Sequence, residues 1–301
     1  MKILVAGASG FVGSHVVEHL LAEGFEVRGL VHSRAPRWEN PKVEIVKGDI
    51  RKPETLSEAL KNTKGVAHCV GIIREGKGVT FENLVAEGTA NLVKEAQKAG
   101  TEKFVFISAL GTRPNARSRY HRTKWQAEEA VRNSGIPFTI LRPSIIFGPE
   151  DDFINAFAGK WIPFPSGGKN LLQPVYVEDV ARIVGSCFTN ELTNGKTFEL
   201  GGPERYEMRQ VIAIAEEVFG RKGFHPPIPI FLLKIMARVF FDSLQKFGLR
   251  IPVTTDQLLM LEEPNICSDE ALVEAEKTFG IKFTPLRDGL RQYAPKQGGR
   301  S

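Results

Sequence analysis

The chain has 301 residues, of which 42% are apolar and 25% are charged, and its formal net charge is +5. These proportions are typical of a globular protein and exclude a disordered, collagen-like or coiled-coil chain. Three widely spaced cysteines predict neither a disulfide framework nor a zinc site, and the mild positive charge favours anionic ligands such as phosphates or lipid headgroups over nucleic acid.

Strand and helix signals alternate through the first half of the chain. In chain order, strands are predicted at 3–6, 25–31, 43–46, 66–70, 103–108 and 136–141, and helices at about 12–21, 53–60, 79–99 and 119–133. This alternation predicts an α/β fold, a doubly wound parallel sheet of Rossmann type with a ligand site at the carboxyl ends of the strands. No segment reaches the ~18–20 apolar residues of a membrane-spanning helix, so we expect a cytoplasmic protein.

Prolines become frequent after residue 143, and the predicted helices there are separated by loops. We therefore predict an NAD(P)-binding Rossmann domain over 1–143, to which a segment at about 171–190 returns. A smaller, mostly helical domain on the substrate or partner side would comprise 144–170 and 191–301.

A glycine-rich turn joins the first strand to the first helix. Glycines allow the backbone to turn tightly and to approach a pyrophosphate, which the N–H groups at the start of the helix can bind. The turn thus predicts a dinucleotide site formed by Gly7, Ser9, Gly10, Phe11, Val12 and Gly13.

The residues after the second strand indicate which dinucleotide binds. An acidic residue there would bind the ribose of NAD, but this chain has His32, Ser33 and Arg34, with Arg28 and Arg37 nearby. A guanidinium can bind a 2′-phosphate bidentately. We predict that NADP(H) is preferred, with NAD(H) as the alternative. Asp49 and Ile50, after the third strand, are expected to border the adenine.

Tyr120 and Lys124 are four residues apart on a predicted helix and therefore share one face. A phenol is a poor base at neutral pH, but a neighbouring ammonium favours the phenolate and can also hold ribose hydroxyls. Ser108 ends the preceding strand and could orient a substrate carbonyl. These three residues are the predicted catalytic set; the alternative is a solvated helix face.

With these motifs the chain resembles the short-chain dehydrogenase/reductase superfamily, in its extended or atypical, epimerase/dehydratase-like branch. The resemblance is carried by 7–13, Asp49, Ser108, 120–124, 142–143, 147–149 and 174–180. It implies that Tyr120 is the acid/base and Lys124 its partner. It also implies that the cofactor is lined by His68, Val70, Gly71, Pro143 and Ile146, although for His68 a purely structural role is the alternative.

Within that branch the chain is similar to the NADPH-binding accessory-subunit family of respiratory complex I and its bacterial relatives. The similarity lies in 118–124, 147–157, 173–177, 202–206, 226–231 and 279–286. Many sugar-nucleotide enzymes of the branch carry polar residues where this chain has Val85, Ala109 or Leu110, and Ile145. The resemblance thus implies a more apolar substrate side.

The segment 226–251 opens with prolines and continues with a dense apolar surface interrupted by positive charge. One helical face of this segment would suffice to pack a small domain. Aromatic residues that fall off that face, next to cations, also fit a membrane interface, a partner subunit or the wall of an apolar channel.

Three functions follow from these observations. The first is an NADP(H)-dependent oxidoreductase that acts on a small apolar or quinone-like carbonyl. The second is a cofactor-bound accessory or assembly protein of a respiratory complex, peripheral to the inner membrane and with little turnover. The third is a sugar-nucleotide epimerase or dehydratase. No metal site is predicted, because His15 and His19 lack a third ligand. The sequence leaves the substrate and the oligomeric state open.

Overall fold

Seven parallel strands form the central sheet of the computed structural model, which describes residues 1–33, 35–36, 40–241 and 253–295. The strands are β1 Lys2–Ala6, β2 Glu26–Val31, β3 Val43–Lys47, β4 Gly65–His68, β5 Lys103–Ile107, β6 Phe138–Pro143 and β11 Lys196–Leu200. Their order across the sheet is β3-β2-β1-β4-β5-β6-β11. The order reverses between β1 and β4, and the crevice outside the carboxyl ends of the strands at such a point is where ligands bind in folds of this kind.

Helices cover both faces of the sheet, because strands that are buried on both sides need an apolar layer on each. The helices of these layers are α1 Phe11–Ala22, α2 Leu56–Leu60, α3 Glu87–Lys98, α4 Arg119–Arg132 and α6 Val177–Ser186. One buried cluster joins α1 and α6 to the sheet, and a second joins α2, α3 and α4 to it. The predicted doubly wound Rossmann fold is therefore confirmed.

The helix predicted at 79–99 is two elements. A π-helical turn, Phe81–Ala86, precedes α3, and Thr80 and Asn83 cap the turn reciprocally through side chain and backbone. The turn buries Phe81 and Val85 at the start of the helix. Such π-turns occur frequently at functional sites, and this one contacts the start of α4.

The segment at about 171–190, which was predicted to return to the Rossmann domain, forms β9 Leu171–Leu172, β10 Val175–Tyr176 and α6, and α6 packs with α1 on one face of the sheet. The seventh strand of the sheet was not predicted and lies beyond this segment, at 196–200. The strand was missed because it carries only two buried apolar residues, Phe198 and Leu200, which alternate with polar ones.

Most of the remaining elements surround a third buried cluster that contains Phe147, Met208, Val211, Leu286 and Leu290, whereas the helix Asp269–Phe279 packs on the sheet through Ala275 and Phe279. The remaining elements are β7 Ile146–Phe147, α5 Ile154–Phe157, β8 Phe164–Pro165, β12 Tyr206–Glu207, α7 Met208–Phe219, β13 Pro227–Ile228, α8 Ile230–Met236, α9 Thr255–Leu261, α10 Asp269–Phe279 and α11 Leu286–Tyr293. Among the residues that the structure describes, no helix combines the length and the apolar character needed to cross a membrane.

Candidate functional site

The glycine-rich turn is held by contacts that other residues would block. Gly7 has a φ of +83°, and its carbonyl accepts the N–H of Gly10 at 2.9 Å. A Cβ on Gly13 would lie 2.1 Å from that same carbonyl oxygen. Gly13 therefore allows α1 to begin directly against the end of β1. Gly10 is the N-cap residue of α1 and has no side chain, so its position provides no side-chain hydrogen bond to the first turn of the helix.

This turn fits a pyrophosphate, because the N–H groups of an uncapped first turn and the positive end of the helix dipole point toward an anion there. Ser9 is buried in the turn, Phe11 packs on Gly148, and Val12 joins the core cluster under α1. The structure thus brings the predicted residues of the turn together, and their contact with a cofactor stays a prediction.

At the adenine end, Asp49 is held by a residue that the sequence analysis did not select. Arg51 donates to both carboxylate oxygens of Asp49, with its Nη2 at 2.6 Å from Oδ2. These hydrogen bonds lower the pKa of Asp49, although its partial burial opposes them. Nε2 of the exposed His32 lies 3.4 Å from the same carboxylate. Ile50 is buried against α3, where a Cβ on Gly88 would approach it to 2.8 Å.

The residues expected near a 2′-phosphate do not all lie at that place. His32 and Ser33 are exposed at the end of β2, whereas Arg34 and Arg37 lie outside the described residues. Arg28 is used elsewhere: its guanidinium donates to the carbonyls of Glu58 and Ala59 at the end of α2, and to Glu44. Arg28 therefore closes the end of a helix and does not face this part of the crevice.

His68 is fully buried at the end of β4 and stacks on Phe106 with ring centroids 5.1 Å apart. Thr89 donates its hydroxyl proton to the carbonyl of Val85, so it accepts the Nε2 proton of His68 at 2.9 Å. Nδ1 of His68 is then a buried acceptor without a hydrogen-bond partner in the described part of the chain. Burial, with a contribution from the Lys124 charge, lowers the pKa of His68 to about 3, which keeps the ring neutral.

The Lys124 ammonium is buried beside the carboxyl end of β5. Its Nζ donates to the carbonyl of Ile107 at 2.8 Å and lies 4.8 Å from the ring centroid of Phe106. A Cβ on Gly71 would come within 3.4 Å of Nζ, so the glycine leaves access to the ammonium from the crevice. Burial lowers the pKa of Lys124 to about 8, although Glu128 and Cys69 favour the charged form. Val70 packs beside Gly7 and closes this side of the site.

Tyr120 is buried one helical turn before Lys124, with its ring edge-on to Phe81 at a centroid distance of 5.8 Å. The helix begins at Arg119, and the Ser118 hydroxyl caps it by accepting the N–H of His121 at 3.2 Å. Burial, and then the charge of Asp256, raise the pKa of Tyr120. Burial thus favours the neutral phenol over the phenolate.

The hydroxyl of Ser108 is occupied by a buried carboxylate. It donates to Oε1 of Glu128 at 2.6 Å, and Arg142 donates to both oxygens of Glu128, at 2.9 and 2.7 Å. Arg132 adds a further contact at 2.7 Å. Glu128, which the sequence analysis did not select, thus ties α4 to β5 and β6. The substrate-orienting role of Ser108 stays a prediction.

Pro143 and Ile146 lie where β6 enters the second part of the chain. The carbonyl of Pro143 accepts the N–H of Leu110 at 2.9 Å, and Ile146 pairs with Val175 in a short parallel ladder. Asn265 binds the backbone N–H of the intervening Ile145 at 3.0 Å. The loop expected to lie against the nicotinamide is therefore a fixed part of the fold.

One of the two histidines of α1 is buried between two carboxylates. His15 is buried, and its two ring nitrogens lie 2.6 Å from Glu178 and 3.1 Å from Glu150. Burial lowers the pKa of His15, but the two carboxylates outweigh it and the pKa is raised. Within the described ranges no group of three or more His, Cys, Asp or Glu could hold a metal ion.

Comparison with known proteins gives the family of this chain. Residues 7–191, more than half of the chain, match the model of the NAD(P)H-binding family. The chain is 30% identical to the NADH dehydrogenase [ubiquinone] 1 alpha subcomplex subunit 9 of Mus musculus, over 78% of this chain and 66% of that protein. It is 31% identical to a ceramide reductase of Caulobacter vibrioides, over 73% of this chain and 71% of that protein. The chain thus spans slightly less than two thirds of the mouse protein.

Among solved structures, the chain is similar to a nucleoside-diphosphate-sugar epimerase of Staphylococcus aureus. The TM-score is 0.75 at 20% identity, with 97% of this chain and all of that chain covered. At this identity the likeness concerns the fold alone.

The Glu128 cluster gives a stability prediction. In Glu128→Ala the guanidinium of Arg142 loses its carboxylate partner in a buried site, which we expect to lower the free energy of unfolding by about 3–5 kcal/mol. Glu129→Ala is the matched control, because the exposed Glu129 also pairs with Arg132, and it should change the value by less than about 1 kcal/mol. Urea denaturation measures both, and equal losses would contradict the role given to Glu128.

Proposed function

We propose that this chain, which belongs to the NAD(P)H-binding family, is an NADP(H)-dependent oxidoreductase that reduces an apolar or quinone-like carbonyl. The observation that carries the proposal is the buried pair on α4. Tyr120 and Lys124 lie one turn apart on the face that packs on the sheet, beside the carboxyl ends of the strands. A buried ammonium and a buried phenol cost free energy of folding, and a binding or catalytic role explains why they are there.

The bound cofactor would supply a hydride to the carbonyl carbon. The turn Gly7–Gly13 would hold its pyrophosphate, and Lys124 its ribose hydroxyls through the two N–H bonds that Ile107 does not take. Tyr120 would donate its phenolic proton to the carbonyl oxygen as negative charge develops there. The Lys124 charge would then stabilise the phenolate that remains.

The preference for NADP(H) is part of the proposal. The exposed His32 and Ser33 present no carboxylate at the end of β2, and the carboxylate of Asp49 is neutralised by Arg51. An exposed imidazole and a hydroxyl are suitable partners for a 2′-phosphate. NAD(H) binding is the alternative.

An apolar substrate is supported by the residues around the pair. Val85 is buried beside Phe81, Leu110 is buried after β5, and Ile145 is half-buried beyond β6. None of them offers a polar side chain to a sugar, which disfavours the epimerase or dehydratase alternative. The Caulobacter relative is a ceramide reductase, which agrees with a lipid-like carbonyl substrate.

An accessory or assembly protein with little turnover is the second candidate. It is favoured by the hydroxyl of Ser108, which is bonded to Glu128 rather than directed to a substrate. The mouse relative, named as a subunit of NADH dehydrogenase, supports it as well. In this case the chain would bind the cofactor and lack carbonyl reduction.

Turnover separates the two candidates. NADPH oxidation with phenanthrenequinone, an apolar probe, should be measurable with the unaltered chain and fall by ~10²–10⁴-fold in Tyr120→Phe, since proton donation is lost. NADPH binding, followed by calorimetry, should be almost unchanged. Tyr206→Phe, on β12, is the matched control and should keep both. Binding of NADPH without any turnover would favour the accessory protein, and full turnover of Tyr120→Phe would refute the catalytic assignment.

We also propose that the protein associates peripherally with a membrane through the described part of 226–251, while the bulk of it lies in the cytoplasm. Every residue of the apolar helix α8 has solvent contact, and Phe231 and Ile235 are 59% and 57% exposed. Trp161 and Phe224, paired by a backbone bridge next to this segment, are exposed as well.

Exposed cations flank these apolar residues, namely Lys160, Arg221, Lys222 and Arg238. Aromatic and aliphatic side chains among cations fit an anionic lipid surface. The part of the segment at 242–251 lies outside the described residues.

Vesicle sedimentation tests this contact. The chain should bind vesicles of equal parts phosphatidylcholine and phosphatidylglycerol, and binding should fall roughly tenfold in the double variant Phe231→Ser and Ile235→Ser, which removes apolar area from the contact. Leu192→Ser, an exposed leucine outside this segment, is the control and should bind normally. Equal binding by the two variants would show that α8 is not the contact.

A further inference from the structure

Helix α9 places a carboxylate on the first turn of α4. Oδ1 of Asp256 accepts the N–H of Arg119 at 2.6 Å, and Oδ2 accepts the N–H of Tyr120 at 3.1 Å. The first N–H groups of any helix lack partners within it. The Ser118 cap of α4 accepts only the N–H of His121, so Asp256 accepts the two N–H groups that the cap leaves.

Asp256 is not needed by its own helix. Thr254 caps α9, and it forms a reciprocal capping box with Gln257 at 3.1 Å in each direction. The carboxylate of Asp256 instead bridges to an element more than a hundred residues earlier in the chain. Its contacts therefore join the second part of the chain to the helix that carries the catalytic pair.

The segment around α9 is fixed at several points, so Asp256 cannot move independently of the site. Glu263 pairs with both oxygens to Arg113, at 2.7 and 2.9 Å. Glu262 pairs with Arg117 at 3.0 Å. These pairs bind the segment to the loop that leads from β5 into α4.

The charge of Asp256 acts on the phenol as well as on the backbone. A nearby negative charge disfavours a phenolate, and this adds to the burial that already raises the pKa of Tyr120. The facing π-turn contributes the apolar Phe81 and also Glu82, whose charge Arg119 pairs at 2.7 Å. Glu75, which accepts the N–H of Phe81 at 3.0 Å, also pairs with Arg119. Further ionisable groups on α4 itself are His121, Arg122 and Lys124.

We propose that Asp256 is a positioning residue that fixes the first turn of α4 and thereby holds the Tyr120 phenol in place for proton transfer to a bound carbonyl. The inference rests on the proposed function, because it presumes that Tyr120 is the proton donor. Asp256 itself touches the backbone of α4 and not the reacting atoms.

Two measurements on Asp256→Asn test the two parts of the proposal in the full chain. This substitution keeps the planar shape of the side chain, but it removes the negative charge and one acceptor oxygen. We expect the peptide that contains the Arg119 and Tyr120 amides to exchange hydrogen about fivefold faster, as for loss of a capping side chain. We also expect kcat for phenanthrenequinone reduction by NADPH to fall about tenfold while the KM for NADPH stays nearly unchanged, because a misplaced phenol impairs proton donation and not cofactor binding. Asp256→Glu keeps both acceptor oxygens and should restore most of kcat.

Glu262→Gln is the matched control, since it breaks ion pairs of the same segment without touching α4. Unchanged exchange in Asp256→Asn would overturn the positioning role. A kcat that falls no further than in Glu262→Gln would overturn the effect on the phenol. If the unaltered chain shows no turnover, the proposed function fails, and the exchange measurement still decides whether Asp256 holds the turn.

Discussion

The buried face of α4 is the constraint on which the rest of the site depends. Tyr120, Lys124 and Glu128 lie at successive turns of that face, and all three are buried. A phenol, an ammonium and a carboxylate are costly to bury unless each finds partners. Glu128 finds Arg132, Arg142 and Ser108, and Lys124 finds the carbonyl of Ile107. The carboxyl-terminal part of this face, at Glu128, is thus held by hydrogen bonds within the fold. Tyr120 and Lys124 lie towards the amino-terminal end of the helix, beside the crevice.

The same arrangement explains why the glycines of the first turn are needed. Gly13 lets α1 begin against the carbonyl of Gly7, and Gly71 leaves Nζ of Lys124 accessible. A dinucleotide that reaches from the first turn of α1 to Lys124 would cross the point where the strand order reverses. The residues proposed to bind the pyrophosphate and those proposed to transfer the proton therefore lie at one edge of one sheet.

Much of this could be predicted from the sequence, because it depends on local patterns. The alternation of strands and helices, the glycine turn and the spacing of Tyr120 and Lys124 each lie within a short segment. Three features could not be predicted, because their partners are far apart in the chain. Asp256 caps a helix that begins 137 residues earlier, as its bond to Arg119 shows. Glu128, which accepts the Ser108 hydroxyl, lies 20 residues further along the chain, and β11 is a strand with little apolar signal.

The second part of the chain carries the surface that we propose for lipid, and it also contacts the residues that precede α4. Lys234 of α8 pairs with Glu262, and Glu262 pairs with Arg117 just before α4. Helix α8 and helix α4 are thus joined through the segment that holds Asp256. A protein that takes an apolar carbonyl from a bilayer would need its lipid-facing surface close to its reduction site, and this arrangement satisfies that requirement.

The central claim is that NADPH binds along the carboxyl edge of the sheet and reaches Lys124. Hydrogen exchange of the full chain with and without saturating NADPH tests it most directly. The account predicts protection of 7–13, of the strand ends at 49–50 and 68–71, and of the first turns of α4, with weaker protection by NADH at the same concentration. Protection confined to other parts of the chain, or none with either cofactor, would contradict it.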